Sequence, residues 1–489
     1  MIKPSFNWNK ISAILFGLAL LFVIHSCSKD DESPVRPATT QEETTEEETT
    51  EEETTEEETT EEENPEEETP NAQTPDNQGQ EGPNILLIIA DDLGNDVLDL
   101  YGLGTQTAIT PTLNRLASEG VRFTNFWAYP ECTPSRASII TGKHGFRTDV
   151  LEVDDPLSTT ETSIQRWIEQ ESQVDYANAV IGKWHLSRNR NHPTNIGIQH
   201  FEGFIDGGIS DYLNWDLQTP TGGMETIREY ATSELTDRAV DWVNAQENPW
   251  FLWLAYNAPH SPFHLPPLEL HDRSNLSSNR AAINDNPLPY YLSSIEAMDT
   301  EIGRLLDAIP QNEMDNTVVI FVGDNGTPGQ VVDVFETRRA KGSLYQGGIA
   351  VPMIVSGVGV TRQNEIEDAL VQSPDLFATI AEIAGTVDPN LADSRSIVPL
   401  LTDANAQHHD FIFSIVGSDR NGGCAIRNDE FKLIQFNNGT RELFNLNDDP
   451  LEANDLLLRG GLSGDESDNF DKLTSALTAL IAGQNVPHF

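Results

Sequence analysis

Residues 84–94, Asn-Ile-Leu-Leu-Ile-Ile-Ala-Asp-Asp-Leu-Gly, decide the fold class of this chain. Six consecutive apolar residues, Ile85 to Ala90, stop at a pair of aspartates. An uninterrupted run rich in isoleucine and leucine is typical of a strand that is buried on both faces of a parallel sheet. The stretch therefore predicts an α/β protein in which polar side chains follow a central strand.

The same arrangement recurs further along the chain. Apolar runs at residues 177–181, 251–256 and 317–322 stop at Gly-Lys-Trp-His, Asn-Ala-Pro-His and Gly-Asp-Asn-Gly, and a run at 351–355 follows a loop that contains Lys341. Helical patterns lie between them, for example at 111–119 and 292–309. Alternating strands and helices predict a large, mostly parallel sheet flanked by helices, with the carboxyl ends of its strands at one edge.

Seven polar residues are expected to meet at that edge: Asp91, Asp92, Lys183, His185, His260, Asp324 and Asn325. Each alone has a structural explanation, since paired aspartates can cap a helix and Gly-Asp-Asn-Gly is a common turn. Their occurrence at successive strand ends favours a site. The aspartates and Asn325 offer only oxygen ligands, which select a hard cation such as Ca²⁺ or Mg²⁺.

A cysteine is an unexpected neighbour for such an ion. Residues 131–142, Glu-Cys-Thr-Pro-Ser-Arg-Ala-Ser-Ile-Ile-Thr-Gly, have the pattern of a helix that begins near Pro134 and ends at Gly142. Cys132 would lie where the helix N-terminus presents free N–H groups, which is a natural anion site. A thiolate, however, is a poor ligand for a hard cation.

The motif Cys-Thr-Pro-Ser-Arg at 132–136 resembles the C-x-P-S-R signature of type I sulfatases, in which a maturation enzyme converts the cysteine to formylglycine. Other motifs are similar to that family in the same order: the paired aspartates at 91–92, G-K-W-H at 182–185, A-P-H at 258–260, D-N-G at 324–326, K-G-S-L-Y-Q-G-G-I at 341–349 and E-L-F-N-L-N-D-D-P-L-E at 442–452. The resemblance covers residues 84 to 485. It implies an alkaline-phosphatase-like α/β sandwich with a smaller C-terminal α+β subdomain.

The resemblance also implies a site and a mechanism. One Ca²⁺ per chain would be held by Asp91, Asp92, Asp324, Asn325 and the modified Cys132. A hydroxyl of the hydrated formylglycine would attack the sulfur atom of the substrate. His260, together with Lys341, would protonate the leaving alcohol. His185 would take a proton as sulfate is expelled. Arg136, Lys183 and Lys341 would hold the sulfate oxygens. The implied substrate is a sulfated poly- or oligosaccharide.

The domain organisation follows from composition. We predict a signal peptide at 1–26, because an uncharged run at 11–24 is shorter than a membrane span and is followed by His25-Ser26-Cys27. Cys27 resembles a lipoprotein cysteine, which implies an exported outer-membrane lipoprotein, periplasmic or facing the cell surface. Residues 27–83 are a predicted disordered acidic linker, with TTEEE repeats between 39 and 69. The catalytic domain is predicted at 84–400.

Residues 401–489 are the predicted C-terminal subdomain. Short apolar runs near 410–416, 424–427, 431–436 and 442–445, joined by turn residues, predict an antiparallel sheet, and a helix is expected at 473–481. Cys132 and Cys424 are the cysteines that remain after Cys27, and the sequence leaves a disulfide between them open.

The net charge of the chain limits the classes of function, and two competing hypotheses remain. The chain carries 79 acidic and 29 basic residues, which disfavours a nucleic-acid partner. We expect membrane contact only through the lipid anchor. A phosphoesterase of the same fold and an unmatured glycan-binding lipoprotein are the competing hypotheses. Outside the motifs, Ser210 and Asp211 follow a Gly-Gly turn and could line the pocket, but we favour a plain turn there. Trp215 is a candidate for a sugar contact or, as we favour, for the core.

Overall fold

The computed structural model describes residues 82–417 and 422–484. The predicted signal peptide, the lipoprotein cysteine and the acidic linker up to residue 81 lie outside the described residues. Strands are β1 Asn84–Asp91, β2 Gly120–Phe123, β3 Phe126–Trp127, β4 Ala177–Lys183, β5 His200–Phe204, β6 Trp215–Gln218, β7 Met224–Ile227, β8 Trp250–Pro259, β9 Thr317–Gly323, β10 Met353–Gly357, β11 Glu365–Glu367, β12 Val371–Gln372, β13 Ile412–Val416, β14 Gly423–Arg427, β15 Phe431–Phe436 and β16 Arg441–Asn445.

The helices are α1 Pro111–Glu119, α2 Cys132–Thr141, α3 Gly145–Thr148, α4 Ile164–Glu171, α5 His192–Asn195, α6 Ala231–Asn244, α7 Arg280–Asp285, α8 Leu288–Ala308, α9 Gln311–Met314, α10 Gln346–Ile349, α11 Asp375–Ile383 and α12 Gly464–Ile481. Helix α2 ends where the sequence predicts, because Gly142 adopts φ 66° and its N–H bonds the carbonyl of Ser138. In the part of the chain that is described, no helix is both long and apolar enough to cross a membrane.

A ten-stranded sheet has the order β11-β2-β10-β9-β1-β8-β4-β5-β6-β7. Its centre, from β9 to β5, is parallel, as predicted. Its flanks are mixed, because β10 runs antiparallel to both β9 and β2, and β6 pairs antiparallel with β5 and β7. The structure confirms the predicted α/β class, with a large sheet flanked by helices. The sheet is mixed, and its centre is parallel.

Alternate residues of β1 explain the layered architecture. Leu86 and Ile88 enter one apolar cluster, which includes residues of α1, α6 and α8. Ile85 and Leu87 enter a second cluster, on the opposite face, with residues of α2, α4 and α11. All eight residues of β1 are buried, so the strand is covered on both faces by helices.

The C-terminal region forms a separate antiparallel sheet of order β13-β14-β15-β16. One face packs with α12 through Leu473 and Leu477. The other face packs with Leu344 and Ile349, which belong to the segment that follows Lys341. The C-terminal sheet therefore supports one of the loops that reach the candidate site.

Candidate active site

The central strands bring their polar ends to one edge of the large sheet. β9, β1, β8 and β4 are neighbours and parallel, so their carboxyl ends lie side by side. Lys183 ends β4, and His260 directly follows β8. Asp324 follows β9, and its N–H donates to the carbonyl of Ala90 at 3.1 Å.

Lys341 reaches the same edge for a different reason. Because β10 is antiparallel to β9, the amino end of β10 lies beside the carboxyl end of β9. The loop before β10 therefore returns to the site. The Lys341 ammonium group donates to Asp92 Oδ1 and lies 3.6 Å from Cys132 Sγ.

Asp91 is the most strongly paired carboxylate of the site. Lys183 Nζ donates to Asp91 Oδ2 at 2.6 Å, and both side chains are wholly buried. Burial alone would raise the pKa of Asp91, but the positive charges of Lys183, His260, Arg136 and Lys341 hold that pKa well below its usual range. Asp91 is therefore ionised at any physiological pH.

Arg136 links the helix start to the end of β9. Its Nε and Nη2 donate to Asp324 Oδ2 at 3.0 and 2.8 Å, and Nη1 donates to the carbonyl of Lys183 at 3.0 Å. Burial and the negative charge of Asp91 raise the pKa of Asp324, despite the pairing with Arg136. A cation held between these carboxylates would relieve that repulsion.

Cys132 is the first residue of α2 and is 2% exposed. Its Sγ lies 3.3 Å from Asp91 Oδ1 and 3.8 Å from Asp92 Oδ1. Burial raises the pKa of the Cys132 thiol well above its usual value, although Lys183 and Lys341 act in the opposite direction. The unmodified side chain is therefore a neutral thiol, which is a weak nucleophile. Cys132 and Cys424 are both free, so the disulfide that the sequence left open is not formed.

The residues around Cys132 form a possible metal site. Ligand atoms of Asp91, Asp92, Cys132 and Asp324 all lie within 4.8 Å of one another, and all four residues are buried. Asn325 Nδ2 donates to Asp92 Oδ1 at 2.8 Å, whereas its buried Oδ1 has no hydrogen-bond partner among the described residues. Three carboxylates and one free amide oxygen fit a hard divalent cation.

The two histidines approach the site from different sides. His260 Nε2 lies 3.8 Å from Asp92 Oδ2, and its Nδ1 bonds the carbonyl of Ser261 at 2.7 Å. His185 Nε2 lies 3.1 Å from Asp154 Oδ1. Burial, followed by the charges of Lys183 and Arg136, lowers the pKa of His185 to about 3, so the ring is neutral near pH 7.

Two glycines that the sequence analysis did not select allow this arrangement. A Cβ at Gly207 would lie 2.7 Å from His185 Nε2, and one at Gly208 would lie 3.1 Å from His260 Cε1. A side chain at Gly207 would therefore force the His185 ring to move, and one at Gly208 would be tight against the His260 ring. The adjacent Gly-Gly pair is visible in the sequence, but the sequence does not show that the two histidine rings lie against it.

A wide cleft opens beside His260. It has a volume of about 970 Å³ and is lined, among others, by Gly208, Ser210, Phe263, Arg280 and Gln330. Ser210 thus lines the cleft, whereas the sequence favours a plain turn at this position. Trp215, in contrast, is 3% exposed and packs edge-on against Phe204, so it belongs to the core, as we favoured.

Binding of Ca²⁺ at this site would have a measurable consequence for stability. We expect Ca²⁺ to raise the melting temperature. At a free Ca²⁺ concentration 100 times the dissociation constant, binding should stabilise the folded state by about 2.7 kcal/mol. Asp324→Asn should lose most of this shift, since it removes one carboxylate from the site. Thermal melts with chelator, Ca²⁺ and Mg²⁺ measure it.

The control is Asp333→Asn, which removes a half-buried carboxylate that accepts hydrogen bonds from Thr105. It should keep the full calcium shift. If Asp324→Asn kept it as well, the ion would bind elsewhere on the acidic surface.

Comparison with known proteins defines the class. A family model described as Sulfatase matches residues 83–386, and a second, described as N-sulphoglucosamine sulphohydrolase, C-terminal, matches residues 338–475. The first match covers more than half of the chain. The chain therefore belongs to the sulfatase family, a class of sulfuric ester hydrolases.

Individual relatives are more distant. The chain is 29% identical to the uncharacterized sulfatase YdeN of Escherichia coli (strain K12), over 66% of each protein. It is 28% identical to human arylsulfatase D, over 68% of this chain and 71% of that protein. The chain thus spans about two thirds of these relatives.

A solved structure shares the architecture. The crystal structure of Ps i-CgsB in complex with k-i-k-neocarrahexaose has a TM-score of 0.69 and 25% identity, and the match covers 83% of this chain and 94% of that one.

Proposed function

We propose that this protein hydrolyses sulfate monoesters of a sulfated carbohydrate, with a formylglycine derived from Cys132 and one bound Ca²⁺. The observation that carries the proposal is the position of Cys132 at the start of α2, within 4.8 Å of three buried carboxylates and 3.6 Å from Lys341. A hydrated formylglycine there would supply oxygen in place of sulfur, which removes the mismatch with a hard cation.

The bound ion would polarise the sulfate oxygens and favour ionisation of the attacking hydroxyl. Asp91, Asp92, Asp324 and Asn325 would hold it. The protein's own cations complete the site, because Arg136, Lys183 and Lys341 surround Cys132 at fixed positions. Buried, preorganised cations stabilise negative charge that develops on the substrate without reorganising at the moment of reaction.

His260 would act on the leaving group. Its Nδ1 donates to the carbonyl of Ser261, which leaves Nε2 on the side of Asp92. The ring also lines the cleft described above, so an alcohol that occupies the cleft would meet it. A proton delivered from this ring, with Lys341 close by, would avoid the departure of an unprotonated alkoxide.

The carbohydrate part of the proposal rests on the cleft and on a relative. The cleft is large enough for a saccharide. Arg280 lines it and bonds the carbonyl of Phe263 at 2.9 Å, which leaves a positive group beside the cleft of an acidic protein. The Ps i-CgsB structure is a complex with k-i-k-neocarrahexaose.

Cellular placement rests on the sequence alone. We propose export and anchoring through a lipidated Cys27, with the acidic linker between the membrane and the folded region. A formylglycine-generating enzyme would be the obligatory partner. It would have to act on the unfolded chain, because residues 132–136 are buried.

A substrate panel tests the activity. We expect sulfate release from sulfated oligosaccharides of algal and animal origin, and no phosphate release from matched phosphate monoesters. The readout is ion chromatography of both anions from the same preparation. Faster release of phosphate would favour the competing phosphoesterase, and binding without release by a formylglycine-containing protein would favour a glycan-binding role.

A further inference from the structure

His185 has one bonded ring nitrogen and one free ring nitrogen. Its Nε2 lies 3.1 Å from Asp154 Oδ1, and its Nδ1 is buried without a hydrogen-bond partner among the described residues. The second oxygen of Asp154 accepts from Arg188 Nη2 at 2.7 Å. His185 and Asp154 both adopt left-handed backbone conformations, with φ 55° and 70°. For residues other than glycine this costs free energy, so the surrounding structure holds them there.

The turn that carries Asp154 is fastened to α2 on both sides of Cys132. The N–H of Val153 donates to Glu131 Oε2 at 3.0 Å. The N–H of Asp154 donates to Thr133 Oγ1 at 3.1 Å. The position of the Asp154 carboxylate is therefore tied to the residue that reacts.

We propose that Asp154 is a positioning residue that fixes the tautomer and the orientation of His185. Its carboxylate accepts the Nε2 proton, which leaves the lone pair on Nδ1. The inference rests on the proposed function and on the role that the family resemblance implies for His185, in which Nδ1 would take a proton from a hydroxyl at residue 132. The O–H bond breaks, an N–H bond forms, and solvent takes that proton before the next cycle.

Asp154 lies outside every motif that resembles the sulfatase family. The charged groups that act on His185 are Lys183 and Arg136, which disfavour its protonation, and Asp91 and Asp154, which favour it. Asp154 is the one among these four that bonds the ring directly. It therefore controls geometry as well as charge.

Nitrogen NMR of the mature protein with labelled histidine tests the pairing without any need for turnover. We expect His185 in the wild type to carry its proton on Nε2, and Asp154→Ala to give a mixture of tautomers. The spectrum of His185→Ala assigns the signal. An unchanged tautomer in Asp154→Ala overturns the proposal.

Kinetics test the consequence. Asp154→Ala should lower kcat by about 10- to 100-fold and change KM by less than about threefold, because it disturbs proton transfer and not substrate binding. Asp154→Asn, which keeps an acceptor oxygen, should recover part of the loss.

The matched control is Asp155→Asn, in the same turn. Asp155 Oδ2 accepts from the N–H groups of Leu151 and Glu152 at 2.9 and 2.8 Å, and an asparagine oxygen can do the same. This variant removes an equal charge and should keep wild-type kcat. Equal losses of kcat in the Asp154 and Asp155 variants would mean that the conformation of the turn, and not the bond from Asp154 to His185, controls the rate.

The two levels of the proposal fail separately. A mature wild type that releases phosphate and no sulfate overturns the proposed function. A wild type that releases sulfate, with an Asp154→Ala variant of unchanged kcat, overturns only the role of Asp154.

Discussion

Cys132→Ala is expected to lower kcat for sulfate ester hydrolysis by at least about 10⁴-fold, which is the scale of loss when a covalent nucleophile is removed. Alanine cannot be converted to formylglycine, and it leaves the surrounding carboxylates and cations in place. The fold should persist, since the exchange removes one buried sulfur atom. Activity is measured by sulfate release, and folding by circular dichroism.

Two controls make the result specific. Cys424→Ala removes the other described cysteine, which is buried in the C-terminal sheet, and it should keep wild-type kcat. Wild-type protein from a host without the maturation enzyme should be as inactive as Cys132→Ala. Mass spectrometry of the peptide that contains residue 132 should find an aldehyde only in active preparations. Full activity in a preparation with an unmodified thiol would refute the proposed chemistry.

Arg136→Met should be the most destabilising single change at the site. The substitution leaves the buried Asp324 carboxylate without its guanidinium partner and removes the bond to the carbonyl of Lys183. Breaking a buried ion pair by removing one partner costs about 3–5 kcal/mol. The free energy of unfolding in urea, measured with chelator, should fall by this amount. The loss of a fixed cation should also reduce kcat by about 100-fold or more.

Arg338→Met is the matched control for this exchange. Arg338 is exposed and pairs with the exposed carboxylate of Glu336 at 2.7 Å. Surface ion pairs contribute at most about 1 kcal/mol, so this variant should unfold near the wild-type denaturant concentration. If the two variants were equally stable, Asp324 would have to be protonated in the folded protein, and the charge arrangement described above would be wrong.

The central strands and the candidate site were predictable from local patterns. Apolar runs without a polar face cannot form half-exposed strands. Such runs precede Asp91, Lys183, His260 and Asp324. Parallel neighbours with polar ends must place those ends at one edge. Arg136 and Lys341 do not follow an apolar run, so strand ends could not identify them. The motifs that resemble the family identified both residues.

Helix α12 illustrates a signal that was present and missed. The apolar pattern predicted a helix at 473–481, but α12 begins at Gly464. Ser463 and Glu466 form a capping box, in which the Ser463 N–H donates to Glu466 Oε2 at 2.6 Å and the Glu466 N–H donates to Ser463 Oγ at 3.3 Å. The Ser-x-x-Glu pattern is visible in the sequence, and its mechanism is local. The first two turns of α12 are mostly polar, so a prediction from apolar periodicity alone does not detect them.

The sequence by itself determined the fold class, the strand ends and the first turn of α2, because each depends on residues within about ten positions of one another. Only the tertiary structure decided that β10 runs antiparallel and so returns Lys341 to the site. It alone decided that Asp154 faces His185 and that Gly207 makes room for that ring. Strand direction and contacts between residues more than 20 positions apart depend on how separate segments pack together, and no short stretch of sequence encodes that packing.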